Sequence, residues 1–400
     1  MKYILILADG VADYPIEQFG GKTPLMAANT PNIDALCKKS RCGKLITVPL
    51  DMPPGSEIAN LSVMGYDVKK VFEGRGVLEA ASIGVDIGED EMAMRCNIIC
   101  IENGKIKNHS AGHISSDEAK VLVEELQSKL NSDTVKFYPG VSYRHLLVIK
   151  GGNKAINCTP PHDVPGTPFS DVMVKAVNAE GKETAELINN LILKSHEILK
   201  DHPINAERIK KGKDPANSIW PWSPGYKPKM KSFKELYGKT GAVISAVDLL
   251  YGIGAHAGLK AIHVDGSTGL YNTNYEGKAK AAVDALRDVD FVYLHIEASD
   301  EAGHEGDAEL KRKTIEYLDQ RVVKYIVEET AKMEEDVAIA ILPDHPTPCK
   351  LRTHTHDPVP FMVYHPKYET DKVTEWNEDS VTEGGFGVMQ ALDFMKMFLT

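Results

Sequence analysis

MKYILILADG, residues 1–10, runs from an unbroken apolar stretch, Tyr3–Leu7, straight into Asp9-Gly10. An apolar run without alternation is what a strand covered on both faces requires. The same texture recurs at Val289–His295, Val337–Leu342 and Pro360–Tyr364, with helical patterns such as Lys311–Thr330 between them. Buried strands alternating with helices predict an α/β fold with a mostly parallel sheet and helices on both faces.

Each of these strands borders a polar cluster. Asp9 follows the first. Asp300 and His304, in SDEAGHEGD, follow the second, and Asp344-His345, in LPDHPTP, follow the third. His354, in THTHDPVPF, precedes the fourth. Singly each signal is weak, because an Asp at a strand end commonly caps the next helix and an exposed HTH is commonly a polar loop. Ligands of open α/β sheets, however, bind beyond the carboxyl ends of the strands. Several strands delivering Asp or His to one edge is what a metal site requires. Asp300 and His304 stand four apart, so one helical turn puts both on one face. A mixed carboxylate and imidazole set suits zinc or manganese better than calcium, and it is large enough for two divalent ions.

A fifth element is Pro53-Pro54-Gly55-Ser56-Glu57-Ile58-Ala59-Asn60. Ser56 follows a turn and precedes the helix-like Ile58–Met64, which exposes it at a helix N-terminus where backbone N–H groups favour a phosphate. These residues leave two readings open. Ser56 is a plain N-cap, or it is a nucleophile whose hydroxyl is activated by metal coordination.

A chain of 400 residues is too long for one core, so two domains are expected. The texture changes around 109–180. Ser115-Ser116-Asp117-Glu118 reads as a capping box, followed by a helix with Ala119, Leu122, Val123, Leu126 and Leu130 on one face. Strands are expected at Val135–Tyr138 and Leu146–Ile149, and the Pro-rich run Thr159–Gly166 breaks regular structure. Residues 109–180 read as a small α+β cap inserted into a core made of 1–108 and 181–400. A second loop-rich stretch, Trp220–Lys231, carries WPWSPGYKPK.

Composition narrows the partners. The chain is 42% hydrophobic and 26% charged, ordinary for a soluble protein. A net charge of −11 argues against nucleic acid, but a small anion needs only a local cationic site. No apolar run reaches transmembrane length, so no membrane partner is expected. Asp9 follows the first apolar run with no small-residue cleavage site, which reads as a strand and not a signal peptide. Six scattered cysteines with no CxxC pair read as reduced thiols, which predicts a cytoplasmic location.

Taken together, ADG at the start, GGKTPLMAANTPNID at 20–34, PPGSEIANLSVMGYD at 53–67, AVISAVDLLYGIGAHAGL at 242–259, GSTGLYNTNYEGKA at 266–279, DEAGH, PDH and HTHDPVPF resemble the archaeal type of cofactor-independent phosphoglycerate mutase. The likeness runs over nearly the whole chain, in order. It implies an alkaline-phosphatase-like core and a small phosphorylated substrate. It also implies two divalent ions, manganese or zinc ahead of magnesium, and no 2,3-bisphosphoglycerate. Ser56 matches the nucleophile that becomes phosphoserine. One metal would be held by Asp9, Ser56, Asp344 and His345, the other by Asp300, His304 and His354. His356 falls where relatives vary and is not counted as a ligand. HSAGH resembles the substrate-histidine segment, with His113 ahead of His109. Asp163 resembles the acid or base near the bridging oxygen, and Arg144 and Lys278 resemble groups that bind the substrate's phosphate and carboxylate. The chain lacks an RHG motif, unlike the histidine-phosphorylating mutases, and a CxPxR motif, unlike the sulfatases.

One segment departs from the pattern. Where archaeal mutases carry an Arg in a segment like RGAG, this chain has Ala216-Asn217-Ser218-Ile219 and then Trp220-Pro221-Trp222-Ser223-Pro224-Gly225. An anion clamp normally uses the bidentate fork of Arg. The leading expectation is interconversion of 3-phosphoglycerate and 2-phosphoglycerate through phosphoserine. The alternative on the same scaffold is a homoserine kinase, with Trp220 and Trp222 forming an uncharged wall; the other reading of these tryptophans is a hydrophobic joint between core and cap. A simple phosphatase and a non-catalytic metal-binding protein stand behind these.

Overall fold

A computed structural model describes residues 1–400 and divides them into two compact units, Met1–Phe72 with Lys229–Thr400, and Glu73–Pro228. The first unit is built on eight strands in the spatial order Lys260–Ile262, Gly241–Ile244, Phe291–Ile296, Lys2–Ala8, Val337–Leu342, Val359–Tyr364, Arg41–Ile46 and Gly387–Gln390. Every pairing is parallel except the two made by Val359–Tyr364. That strand runs against the others, so its start lies at the edge where the rest end. The reversal is what brings His354 to the same edge as Asp9, Asp300 and Asp344.

Both faces of the sheet are covered, which is why its strands lack alternation. Ile4, Ile6 and Ala8 join a buried cluster with Ala279, Ala282 and Val283 of the helix Tyr275–Ala285. On the other face Tyr3 meets Phe398 edge-on and donates to Leu399 O, while Phe233 stacks on Phe291 at 4.7 Å. The expected helix Lys311–Thr330 is present as Ala308–Tyr317 and Lys324–Thr330, joined by a π-helical turn, Leu318–Val323. The turn has a local reason. It presents buried Asp319 to the start of the helix Pro31–Cys37, where the carboxylate accepts from Asn32 N at 2.9 Å and Ile33 N at 2.7 Å. Those N–H groups have no intrahelical partner, and Thr30 supplies no side-chain cap.

The second unit is an antiparallel sheet whose central strand, Glu91–Glu102, pairs with Arg144–Lys150 on one side and Ser218–Tyr226 on the other. It is wider than the expected 109–180. Its central strand lies before that stretch and a flanking strand lies after it, because the pairings of Glu91–Glu102 join segments far apart in sequence. Trp220–Lys231 also differs from expectation, since most of it is strand and not loop. Pro221 and Pro224 are tolerated because Ser218–Tyr226 pairs on one side only and carries a bulge opposite Met94 and Arg95. The helix Ser116–Leu130 is present with Ala119, Leu122, Val123 and Leu126 buried. Its cap is half of the expected box. Ser115 Oγ accepts from Glu118 N, but the Glu118 carboxylate turns to Ser115 Oγ and to Arg208. No helix is long and apolar enough to cross a membrane.

Candidate active site

In the first unit the strand ends converge. Asp9 leaves Lys2–Ala8, and Gly10 behind it has φ +61°, the left-handed region. A Cβ on Gly10 would stand 2.6 Å from Asp300 Oδ1, so this position demands glycine for close approach as well as for backbone geometry. Asp300 and His304 share a face of the helix Ala298–Glu305, with His304 Nε2 3.3 Å from Asp300 Oδ2. His354 Nε2 lies 3.5 Å from Asp300 Oδ1 and 2.9 Å from His304 Nε2. Asp300, His304 and His354 form one potential ligand group, and Asp9, Asp300 and His345 form a second. Asp300 belongs to both. Ser56 Oγ lies 3.0 Å from His345 Nε2, and Asp344 Oδ2 lies 3.4 Å from the same nitrogen.

The tautomers of these histidines follow from their partners, since a carbonyl can only accept. His304 Nδ1 faces Arg352 O at 3.0 Å and His354 Nδ1 faces Pro54 O at 2.7 Å, so each Nδ1 carries a proton. In the neutral rings both Nε2 atoms then point lone pairs at one another, an arrangement that requires a proton or a cation. His345 Nδ1 lies 3.3 Å from Thr347 Oγ1, whose own proton goes to Asp300, and this leaves His345 Nε2 as a lone pair facing Ser56. Asp9 adds a buried carboxylate whose Oδ1 has no hydrogen-bond partner. Burial, with Asp344 and Asp300 nearby, pushes its carboxyl well above the usual carboxylate range. Three carboxylates, three Nε2 lone pairs and a hydroxyl around such an orphan fit divalent ions.

Ser56 is the first residue of the helix Ser56–Val63, with Gly55 at the N-cap, and its Oγ caps no helix N–H. Several supporting residues escaped the sequence reading. Asn60, one turn along that helix, donates to Ser56 O at 2.8 Å and to Asp344 Oδ2 at 2.9 Å, and its own Oδ1 accepts from Tyr293 OH. His295 Nε2 lies 2.8 Å from Asp9 Oδ2 and its Nδ1 lies 2.9 Å from Ser245 Oγ. Burial pushes His295 down to about 3, so the ring is neutral and steers Asp9 by donation. A histidine inside an otherwise apolar strand, and an amide four residues beyond Ser56, were the available signals. Lys278 lies in the first unit. It is fully buried, its Nζ donates to His295 O at 3.2 Å, and burial lowers it to about 8, against the pull of Glu297.

In the second unit a different set gathers around Trp222. Arg95 stands directly across the strand pair from Trp222, with its guanidinium 4.9 Å from the indole ring. The Nε atoms of Arg95 and Arg144 are buried without hydrogen-bond partners. Burial depresses the Arg95 guanidinium, opposed by Glu79 at 3.3 Å and reinforced by Arg75 and Arg144. His162 packs edge-on to Trp222 at 5.3 Å and to His109 at 6.0 Å, and Tyr143 contacts both His109 and His113. Exposed Asp163 lies 3.5 Å from His162 Nε2. Trp220 and Trp222 are buried within this unit. Their indole N–H groups donate to Thr159 O at 2.8 Å and Asn97 Oδ1 at 3.0 Å.

The family model for 2,3-bisphosphoglycerate-independent phosphoglycerate mutase matches residues 37–205. A Methanosarcina acetivorans protein of that name is 50% identical, with 100% of both chains covered. The chain belongs to the 2,3-bisphosphoglycerate-independent phosphoglycerate mutase family. A Thermococcus kodakarensis relative of the same name is 39% identical over 100% of this chain and 96% of its own. Among solved structures, the cofactor-independent phosphoglycerate mutase from Thermoplasma acidophilum superimposes with a TM-score of 0.72 at 28% identity, covering 100% and 99% of the two chains. A Pyrococcus horikoshii protein reaches a TM-score of 0.85 at 31% identity, covering 100% and 96%. Membership of this mutase family accounts for the α/β core. Nothing in these comparisons supports the homoserine kinase alternative.

Proposed function

We propose that this protein interconverts 3-phosphoglycerate and 2-phosphoglycerate, with Ser56 carrying the phosphoryl group between the two hydroxyls. The observation that carries the proposal is Ser56 Oγ, 3.0 Å from His345 Nε2, beside two ligand groups that share Asp300. Asp9, Ser56, Asp344 and His345 would hold one divalent ion, and Asp300, His304 and His354 the other. Manganese or zinc suits a set with three imidazoles. When bound, the ions offset charge on the transferring oxygens and favour the ionised serine hydroxyl.

The chain's own residues supply the rest. The positive end of the helix Ser56–Val63 favours the incoming phosphoryl oxygens. Ser56 Oγ bonds to phosphorus as the bond to the C3 oxygen breaks, and the group later returns to the C2 oxygen. Asp163 would pass the proton between those two oxygens. Arg144 and His113 bind the substrate's anionic groups, and Arg95 takes the place of the arginine missing from WPWSPG. It comes from the neighbouring strand, opposite Trp222. Its unpaired Nε and its position over the indole leave a guanidinium edge for a carboxylate or phosphate. Six free thiols support a cytoplasmic setting.

The test is turnover of 3-phosphoglycerate by purified, manganese- or zinc-loaded protein without 2,3-bisphosphoglycerate. The expected result is 2-phosphoglycerate, abolished by chelation. Release of free phosphate alone, or turnover only with added bisphosphoglycerate, would refute the proposal.

A further inference from the structure

The loop that delivers Ser56 is poor in donors. Pro53 and Pro54 have no N–H, so this backbone has few bonds of its own to pin it. Its internal bonds are Met52 N to Pro49 O at 3.0 Å and Gly55 N to Pro53 O at 2.8 Å. Two of its carbonyls are held by imidazoles. His354 Nδ1 lies 2.7 Å from Pro54 O, and His356 Nε2 lies 2.7 Å from Met52 O. The histidines are two residues apart and so are the carbonyls, in opposite chain directions, so the bonds form two rungs between antiparallel segments. The histidine segment is itself anchored. Thr355 N donates to Pro346 O at 3.2 Å, and Asp357 Oδ2 accepts from Thr355 Oγ1 at 2.8 Å and from Tyr14 OH at 2.7 Å. One short segment thus links the loop after Asp9, the loop after Asp344-His345 and the loop before Ser56.

We propose that His356 is a positioning residue that fixes Ser56 for phosphoryl transfer by holding the Met52 carbonyl. This rests on the reading of Ser56 as nucleophile. His356 lies outside both ligand groups. It acts through the loop, donating from Nε2 because a carbonyl can only accept. His354 forms the companion rung but belongs to a ligand group, so only His356 tests the clamp without disturbing the candidate metal site. In-line attack tolerates little drift, since a misplacement of about 1 Å costs on the order of 100-fold in rate.

The test compares His356→Ala and His356→Gln in the metal-loaded, full-length protein. The Ala variant should lose roughly 10- to 100-fold in kcat, with KM and metal affinity within about twofold of the parent. The Gln variant, whose amide N–H can reach a carbonyl, should recover most of the loss. Amide hydrogen exchange over residues 50–56 should quicken in the Ala variant and not in the Gln variant. The exchange comparison is repeated in a Ser56→Ala background, where it is independent of chemistry. An unchanged kcat in the Ala variant, a Gln variant as impaired as Ala, or a parallel fall in metal affinity would overturn the proposal. If exchange responds as expected but Ser56→Ala still turns over, the nucleophile reading fails and the clamp stands.

Discussion

The two units hold their polar groups in opposite ways. In the first, Asp9, Asp300 and Asp344-His345 follow buried parallel strands, and His354 precedes the one reversed strand. Each candidate ligand's place is set by a sheet edge, and its partners come from other sheet edges. In the second, Arg95 and Arg144 project from within strands, while His109, His113 and Asp163 come from the connections around them. One arrangement suits chemistry that needs fixed distances. The other, with arginine and histidine around an indole, suits recognition of an anion.

That contrast can be broken by variants that separate rate from binding. Ser56→Ala should lower kcat by at least about 10,000-fold while leaving the fold unchanged, because it removes a covalent nucleophile from both displacements. Residual activity of more than a few per cent, measured with rigorously purified variant, would remove Ser56 from the chemistry. Arg95→Met should mainly raise KM, by roughly 10- to 100-fold for the loss of a charge-assisted hydrogen bond, and leave metal affinity unchanged. Steady-state kinetics with an unaltered KM and a reduced kcat would place Arg95 in support of the fold.

The smallest effect concerns protons at the first unit. The hydrogen bond to Asp300 raises His304 to about 9, so the metal-free protein carries an imidazolium at neutral pH. Metal must displace that proton. Affinity should therefore rise with pH, by up to about tenfold per unit, and level off as pH passes the His304 value. Calorimetric titration at several pH values reads this directly, and a pH-independent affinity would show that His304 is not a ligand.

The same contrast explains what the sequence could convey. Strand ends are visible in one dimension, since an apolar run meeting Asp or His needs no partner to be noticed. The parallel sheet and the ligand candidates came from that signal. Arg95 was invisible because its significance depends on register, opposite Trp222 on a strand more than a hundred residues away. The same long-range pairing widened the second unit and turned WPWSPGY from apparent loop into strand. The burial of Lys278 was equally out of sight, since it depends on how the helix Tyr275–Ala285 packs that side chain beneath His295. His295 was hidden within an apolar strand, where its burial, and not its residue type, gives it a role.

Mass-spectrometric mapping after rapid quenching tests the central claim most directly. Metal-loaded protein mixed with 3-phosphoglycerate should carry one phosphoryl group on Ser56 during turnover. The group should be absent after chelation and absent without substrate. Full conversion to 2-phosphoglycerate with no phosphorylated Ser56 at any quench time, under conditions that preserve a phosphoserine standard, would contradict it.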